Sequence, residues 1–367
     1  MNRRGVLRGT AVAGVVGVAG CLERLGFTEE SAWANPPIVD GRPDAVYLPA
    51  GTEEMAMYGT ATDGEYGVAL TYTIPHRFWV LAGEDSQVDV TPDDSLHLML
   101  TVWDVETATV LPVDVSLELF RDGDRATDVG RPWPMISQRM GFHYGDNVSL
   151  PGEGEYTARI RVGPVDAERT GALEGRLDAA TTLEIDFEFV RSDVHDLDFD
   201  LVDEDRRGER DALPLMDHGH GGGDHGSGGD HPPTAQGRPI ADLPGTHIGT
   251  ERSGDAAVSA LRLDDEASRL TDAESYLAVP VRTPYNDIVL PFATLHVTVE
   301  RDGAVVHESS LTETVDHELG HHYGTGIDDL RDGDELTIAV DSPPQVSRHD
   351  GYETAFLEFE DVTVTVR

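Results

Sequence analysis

Lysine does not occur in this 367-residue chain, and cysteine occurs once, at Cys21. A single thiol excludes a disulfide within the chain and a cysteine-rich metal site, so metal chemistry would fall to histidine, methionine and carboxylates. Positive charge is scarce: 27 basic residues face 69 acidic ones, for a formal net charge of −42. That sign excludes a nucleic-acid surface and favours attraction of cations. Such an excess repels itself in dilute buffer, whereas molar salt shrinks the screening length to ~3 Å. The composition therefore points to an extreme halophile. Disorder is excluded by the apolar residues, which reach 39% and alternate regularly.

Long hydrophobic runs are missing too. The longest, Thr10 to Ala19, follows Arg3-Arg4 and falls short of the roughly 20 residues that cross a bilayer as helix. An arginine pair before a short apolar segment is the pattern of a twin-arginine export signal. Val18-Ala19-Gly20-Cys21 resembles a lipoprotein lipobox, with Cys21 as the lipidated residue. The chain is expected at the outer face of the cytoplasmic membrane, held there through Cys21.

What is present is a repeat. One offset of 179 positions lays Leu111-Pro112 on Leu290-Pro291, His143-Tyr144-Gly145 on His322-Tyr323-Gly324, Gly154 on Gly333 and Arg169 on Arg348. Constant spacing at four places indicates a duplicated unit. Both copies read as β. Val46–Leu48, Val68–Ile74, Leu96–Trp103, Val113–Phe120, Tyr156–Val162 and Leu183–Phe189 are strand-like in the first, and Ala293–Val299, Leu336–Val340 and Val362–Val366 in the second. Arg121-Asp122-Gly123-Asp124 and Arg301-Asp302-Gly303 mark hairpin turns. The expected fold is all-β: two tandem immunoglobulin-like antiparallel sandwiches joined by a disordered His/Gly/Asp-rich linker. The expected boundaries are a signal over 1–21, a tether over 22–44, sandwiches over 45–190 and 246–367, and the linker over 191–245.

Candidate ligands cluster around the HYG segments. His97 and Met99 share a strand face, and Met135, Met140 and His143 follow in the first copy. Imidazole with thioether suits copper, or iron if oxygen ligands complete the shell. Taken alone, Met135 and Met140 read first as core filler and His143 as a turn residue bonded to backbone. The linker adds Met216, His218, His220, His225 and His231 among aspartates and glycines, a composition that suits weak, exchangeable metal capture; the other reading is a solvated spacer. His317-Glu318-Leu319-Gly320-His321 matches HExxH, which would make a zinc metalloprotease if it lay on a helix. It aligns instead with the strand-rich stretch from Gln138 to Phe142, and no other catalytic constellation appears. Pro75-His76-Arg77-Phe78-Trp79 could approach a metal but reads first as an aromatic strand end. A purely structural cell-surface module would use none of these groups.

Pro134-Met135 followed by His143-Tyr144-Gly145-Asp146-Asn147-Val148 resembles the signature of a periplasmic iron-transport-associated family that includes membrane-antigen lipoproteins. Val46-Tyr47-Leu48 and Leu96-His97-Leu98 are similar to its opening and first ligand strands, and Pro343-Pro344 leading to Arg348-His349-Asp350 to its last element. The resemblance implies an immunoglobulin-like protein that binds copper or iron through His and Met and serves a metal permease. Departures are clear: Met99 stands where the family has a carboxylate, and the gap from Met135 to His143 is one residue longer. Thr170 in the first copy replaces the counterpart of His349, while Tyr276, Ala278 and Thr314 replace those of His97, Met99 and Met135. Neither copy holds a full ligand set, so the copies are expected to pair as a pseudo-dimer. One group would be His97, Met135 and His143; the other, His322 and His349. A true homodimer is left open.

Overall fold

The computed structural model describes residues 36–81, 86–216, 232–264 and 267–367. Cys21, and linker residues His218, His220, His225 and His231, lie outside the described residues.

The expected all-β sandwiches are present. In the first, the strands Thr181–Phe189, Gly154–Val162, Val115–Arg121 and Asp124–Gly130 form one sheet. Thr181–Phe189 alternates strictly: Leu183, Ile185, Phe187 and Phe189 are buried, and the residues between them are exposed. That alternation is what a sheet with one wet face requires. The facing sheet runs Ala56–Asp63, Tyr66–Thr73, Leu96–Asp104, Gly141–Val148, Trp133–Ser137, Ser347–Arg348, Phe78–Val80, Ser86–Val88. Here Tyr66–Thr73 is buried throughout, although every second residue is small or polar. Its outer face is therefore covered, and the candidate site lies under that cover.

The second sandwich repeats the plan. Gly320–Ile327 begins and ends 179 positions after Gly141–Val148. A single long strand, Ala304–Asp316, serves both of its layers. The first copy splits the equivalent stretch into Asp124–Gly130 and Trp133–Ser137, because Pro132 between them has no N–H for the ladder. Both hairpin signals fold as expected, with φ of 52° and 84° at Asp122 and Gly123, and 53° and 77° at Asp302 and Gly303. Positive φ at both central residues matches the right-handed strand twist.

The two copies trade strands. Ser347–Arg348 of the second pairs in parallel with Met135 and Ile136 of the first. Glu168–Thr170 of the first pairs in parallel with Thr314, Val315 and Asp316 of the second. The two exchanges fall at the same offset, so they are one contact seen from both ends of a pseudo-twofold arrangement.

Two expectations change. Val46–Leu48 is no strand but a buried irregular segment between Pro43 and Pro49. Tyr47 N donates to Gly351 O and Leu48 N to Glu209 O, partners on separate loops rather than one neighbouring strand. Residues 191–216, expected as linker, carry a short helix, Arg191–His195, and a strand, Phe199–Leu201, paired with Gly51–Glu53.

Candidate metal centre

The outer face of the larger sheet of the first sandwich is set by register. Thr73 lies opposite His97, and His97 opposite Asn147; Thr71 lies opposite Met99, and Met99 opposite Gly145. Met135 lies opposite His143. Paired residues point to the same side, so His97, Met99, Met135, His143, Gly145 and Asn147 share one face, while Leu98, Leu100, Phe142 and Tyr144 fill the core behind it.

Gly145 shows how close the ligands come. A Cβ there would sit 2.7 Å from His97 Nε2 and 3.1 Å from Met135 Sδ. The glycine of HYG is thus the floor on which imidazole and thioether meet. The tyrosine beside it is structural: Tyr144 OH accepts from Val113 N and donates to Leu111 O. Tyr323 makes the same pair of bonds with Ala293 and Leu290.

The strand exchange brings the second copy to this floor. His349 N donates to Ile136 O, and the His349 ring lies with its centroid 5.2 Å from that of His143 and 5.9 Å from that of His97. His76, 4% exposed, completes the group. Ring nitrogens of His76, His97 and His349 all lie within 4.8 Å of one another. The segments bearing His76 and His349 are clamped by the Arg77–Asp350 ion pair at 2.9 Å and the Trp79–Arg348 pairing.

Hydrogen bonds fix every tautomer. His143 Nδ1 and His76 Nδ1 each lie 3.0 Å from a carbonyl, of Gly141 and Ile74, which can only accept, so both nitrogens carry the proton. Asn147 Nδ2 donates to His76 O, which leaves its Oδ1 to accept from His97 Nδ1 at 2.9 Å. His76 Nε2 then accepts from His349 Nδ1 at 3.0 Å. What remains are the Nε2 atoms of His97, His143 and His349, all buried and without a hydrogen-bond partner. An unmade bond at a buried polar atom costs about 1–3 kcal/mol, and three in one place call for a ligand.

The site also prefers neutral rings. Burial pushes the His143 pKa down to about 4, against the raising effect of its bond to Gly141. Burial likewise holds His97 and His349 well below the usual histidine range, with further lowering from His76. A neutral imidazole is the form that binds a cation.

The sequence-stated candidates separate into groups. His97, Met135, His143 and His349 converge. Met99 projects from the same face and lines the cleft beside His76 and His349. Met140 lines a different cavity, with Met55, Met57 and Met216. His322 occupies the equivalent place in the second copy, where its Nε2 takes a hydrogen bond from Tyr276 OH at 3.1 Å and its Nδ1 bonds Gly320 O. The second-copy site is thus filled by a hydroxyl: a Cβ on Gly324 would overlap Tyr276 OH, as one on Gly145 would crowd His97 and Met135. The HExxH residues form no helix. His317, Glu318 and Leu319 make the turn between two strands, His321 Nε2 lies 2.7 Å from Glu313, and Glu318 pairs with Arg269. The zinc geometry that motif needs is absent there.

His76 was the residue the sequence understated. It lies 21 positions before His97 and owes its place to strand pairing of Trp79 with Arg348, 269 positions away, a contact no local pattern announces. Asn147, next to HYGD, was legible as part of the motif but not as the group that orients two histidines.

Two family matches cover separate parts of the chain. Residues 107–200 match the family described as Fe2+ transport protein, and residues 241–365 a family described as a domain of unknown function. No curated protein matches. Among solved structures, FetP of uropathogenic E. coli strain F11, as isolated, is 21% identical over 37% of this chain and 97% of its own, with a TM-score of 0.30. A copper-bound variant of FetP gives the same identity and TM-score over 37% of this chain and 93% of its own. Met135 and His143 fall within the first matched segment, whereas His76, His97 and His349 lie outside it. Through residues 107–200 the chain thus matches an iron-transport-associated metal-binding family, the Fe2+ transport proteins.

Proposed function

We propose that this chain binds a copper or iron ion at one site shared by its two sandwiches, through His97, Met135 and His143 of the first and His349 of the second. The observation that carries this reading is the trio of buried, unpartnered Nε2 atoms of His97, His143 and His349, with His97 Nε2 and Met135 Sδ meeting over Gly145. His76 and Asn147 act behind the ligands, orienting His349 and His97 through their Nδ1 protons; such supports tune affinity in metal sites. Nitrogen with thioether favours copper, and the match of residues 107–200 to Fe2+ transport proteins favours iron. The ion is cargo rather than a catalyst. The protein would hold it outside the cell, anchored through a lipidated Cys21, and pass it to a membrane permease.

The test is metal stoichiometry on protein purified in high salt, with copper, iron and zinc offered together. One ion per chain, lost equally in His143→Ala and His349→Ala, is expected. Two ions lost independently by the two variants would overturn the shared site, and zinc alone, insensitive to both, would overturn the reading entirely.

A further inference from the structure

Apart from Met1, the chain has six methionines, at 55, 57, 99, 135, 140 and 216, and the second sandwich has none. Two copies of one fold pack comparable cores, so methionine is not needed here as filler. Its concentration in one copy asks for another cause.

Four of the six line a single cavity of about 190 Å³: Met55, Met57, Met140 and Met216, with Thr71 and Thr101. Register explains the gathering. Met57 lies opposite Thr71, and Thr71 opposite Met99, so the cavity sits on the same sheet face as the histidine cluster. Met216 is fixed by its backbone N–H to Arg139 O, next to Met140. Thr71 is 6% exposed, and its Oγ1 has no hydrogen-bond partner. No carboxylate or imidazole lines the cavity among the described residues. Met57, 37% exposed, opens it to solvent, while Met55 also lines the cleft that reaches His76 and His349.

We propose that this cavity is a second metal site, selective for a soft monovalent cation, Cu(I), held by the thioethers of Met55, Met57, Met140 and Met216. Neutral sulfur ligands bind Cu(I) and discriminate against hard or divalent ions, which want nitrogen or oxygen. The surrounding charge of −42 supplies the attraction that uncharged ligands do not. Met55, common to both cavities, is the stepping point from the thioether site to the histidines. The site stands independently of the histidine reading, since its ligands differ.

Silver(I) is the probe, titrated against a competing chromophoric chelator with nitrate replacing chloride. Protein carrying His97→Ala and His349→Ala, with His218, His220, His225 and His231 changed to Gln, should keep one tightly bound Ag(I) per chain. Adding Met57→Leu, Met140→Leu and Met216→Leu should abolish it. Leucine conserves volume, so the fold should survive, as unchanged circular dichroism would register. Met140→Leu alone should weaken binding at least tenfold and keeps the test usable if the triple variant fails to fold. X-ray absorption of the Cu(I) form should show sulfur-dominated coordination. Silver binding that vanishes with the loop histidines, or persists undiminished in the leucine variants, would overturn the thioether site. Absence of any divalent-ion binding that depends on His143 and His349, with silver retained, would instead strike the proposed function alone.

Discussion

Gly145→Ala is the sharpest perturbation of the metal centre, because it adds one methyl group and nothing else. Gly145 has no positive φ, so alanine fits its backbone without strain. The new Cβ, however, would lie 2.7 Å from His97 Nε2, where ordinary contact begins at 3.4 Å. One of the two must retreat by the difference, about 0.7 Å, which exceeds the roughly 0.5 Å within which a ligand set must be held. Met135 Sδ, at 3.1 Å, is crowded as well. Overpacking costs about 1–3 kcal/mol, partly offset by the ~0.5–1 kcal/mol gained on replacing a strand glycine. The metal-free protein should therefore lose at most about 2.5 kcal/mol, while affinity for copper or ferrous iron falls about 10- to 100-fold. Gly324→Ala is the internal control. It displaces Tyr276 OH and leaves His322 Nε2 unpaired, costing about 1–3 kcal/mol of stability without touching the ligands. Chelator-competition titration and thermal melts of both variants decide the matter. If Gly145→Ala binds metal within twofold of the parent, or Gly324→Ala weakens it as much, the convergence of ligands over Gly145 has no functional meaning.

Three further outcomes follow from the same geometry. Asn147→Leu removes the acceptor for His97 Nδ1 and the donor to His76 O, so metal affinity should drop about 10- to 100-fold in the same titration, with circular dichroism unchanged. Arg348 is 2% exposed and donates to the carbonyls of Ala355, Val346 and Phe356; Arg348→Met should leave all three unpaired and lower stability in urea unfolding by about 3–5 kcal/mol, loosening His349 beside it. Burial pushes the His322 pKa down from 6.5 to about 4. The unfolded chain thus binds its proton first on acidification. The contribution of His322 is complete above pH 6.5 and lost as pH falls toward 4, about 3 kcal/mol in all. His322→Gln should flatten the fall in unfolding free energy across that window, and an unchanged slope would refute the assignment.

The sequence by itself determined the β class, the duplication, the hairpins at Asp122-Gly123 and Asp302-Gly303, and the face parity that puts His97 with Met99. Those follow from a period of two and from turn chemistry, both local. It also named the first-copy group His97, Met135 and His143, through the resemblance carried by the HYG segment and the Leu96-His97-Leu98 strand. The tertiary structure alone decided what lies over that face. The parallel pairing of Ser347–Arg348 with Met135 and Ile136 carries His349 into the first sandwich and sets His76 against it. Packing also sends Met140 to the thioether cavity and gives His322 to Tyr276. Parity states which side of a sheet a residue faces; it is silent about which distant segment covers that side, since the covering contacts join residues some 200 or more positions apart and are selected by packing, not by any repeat in the chain.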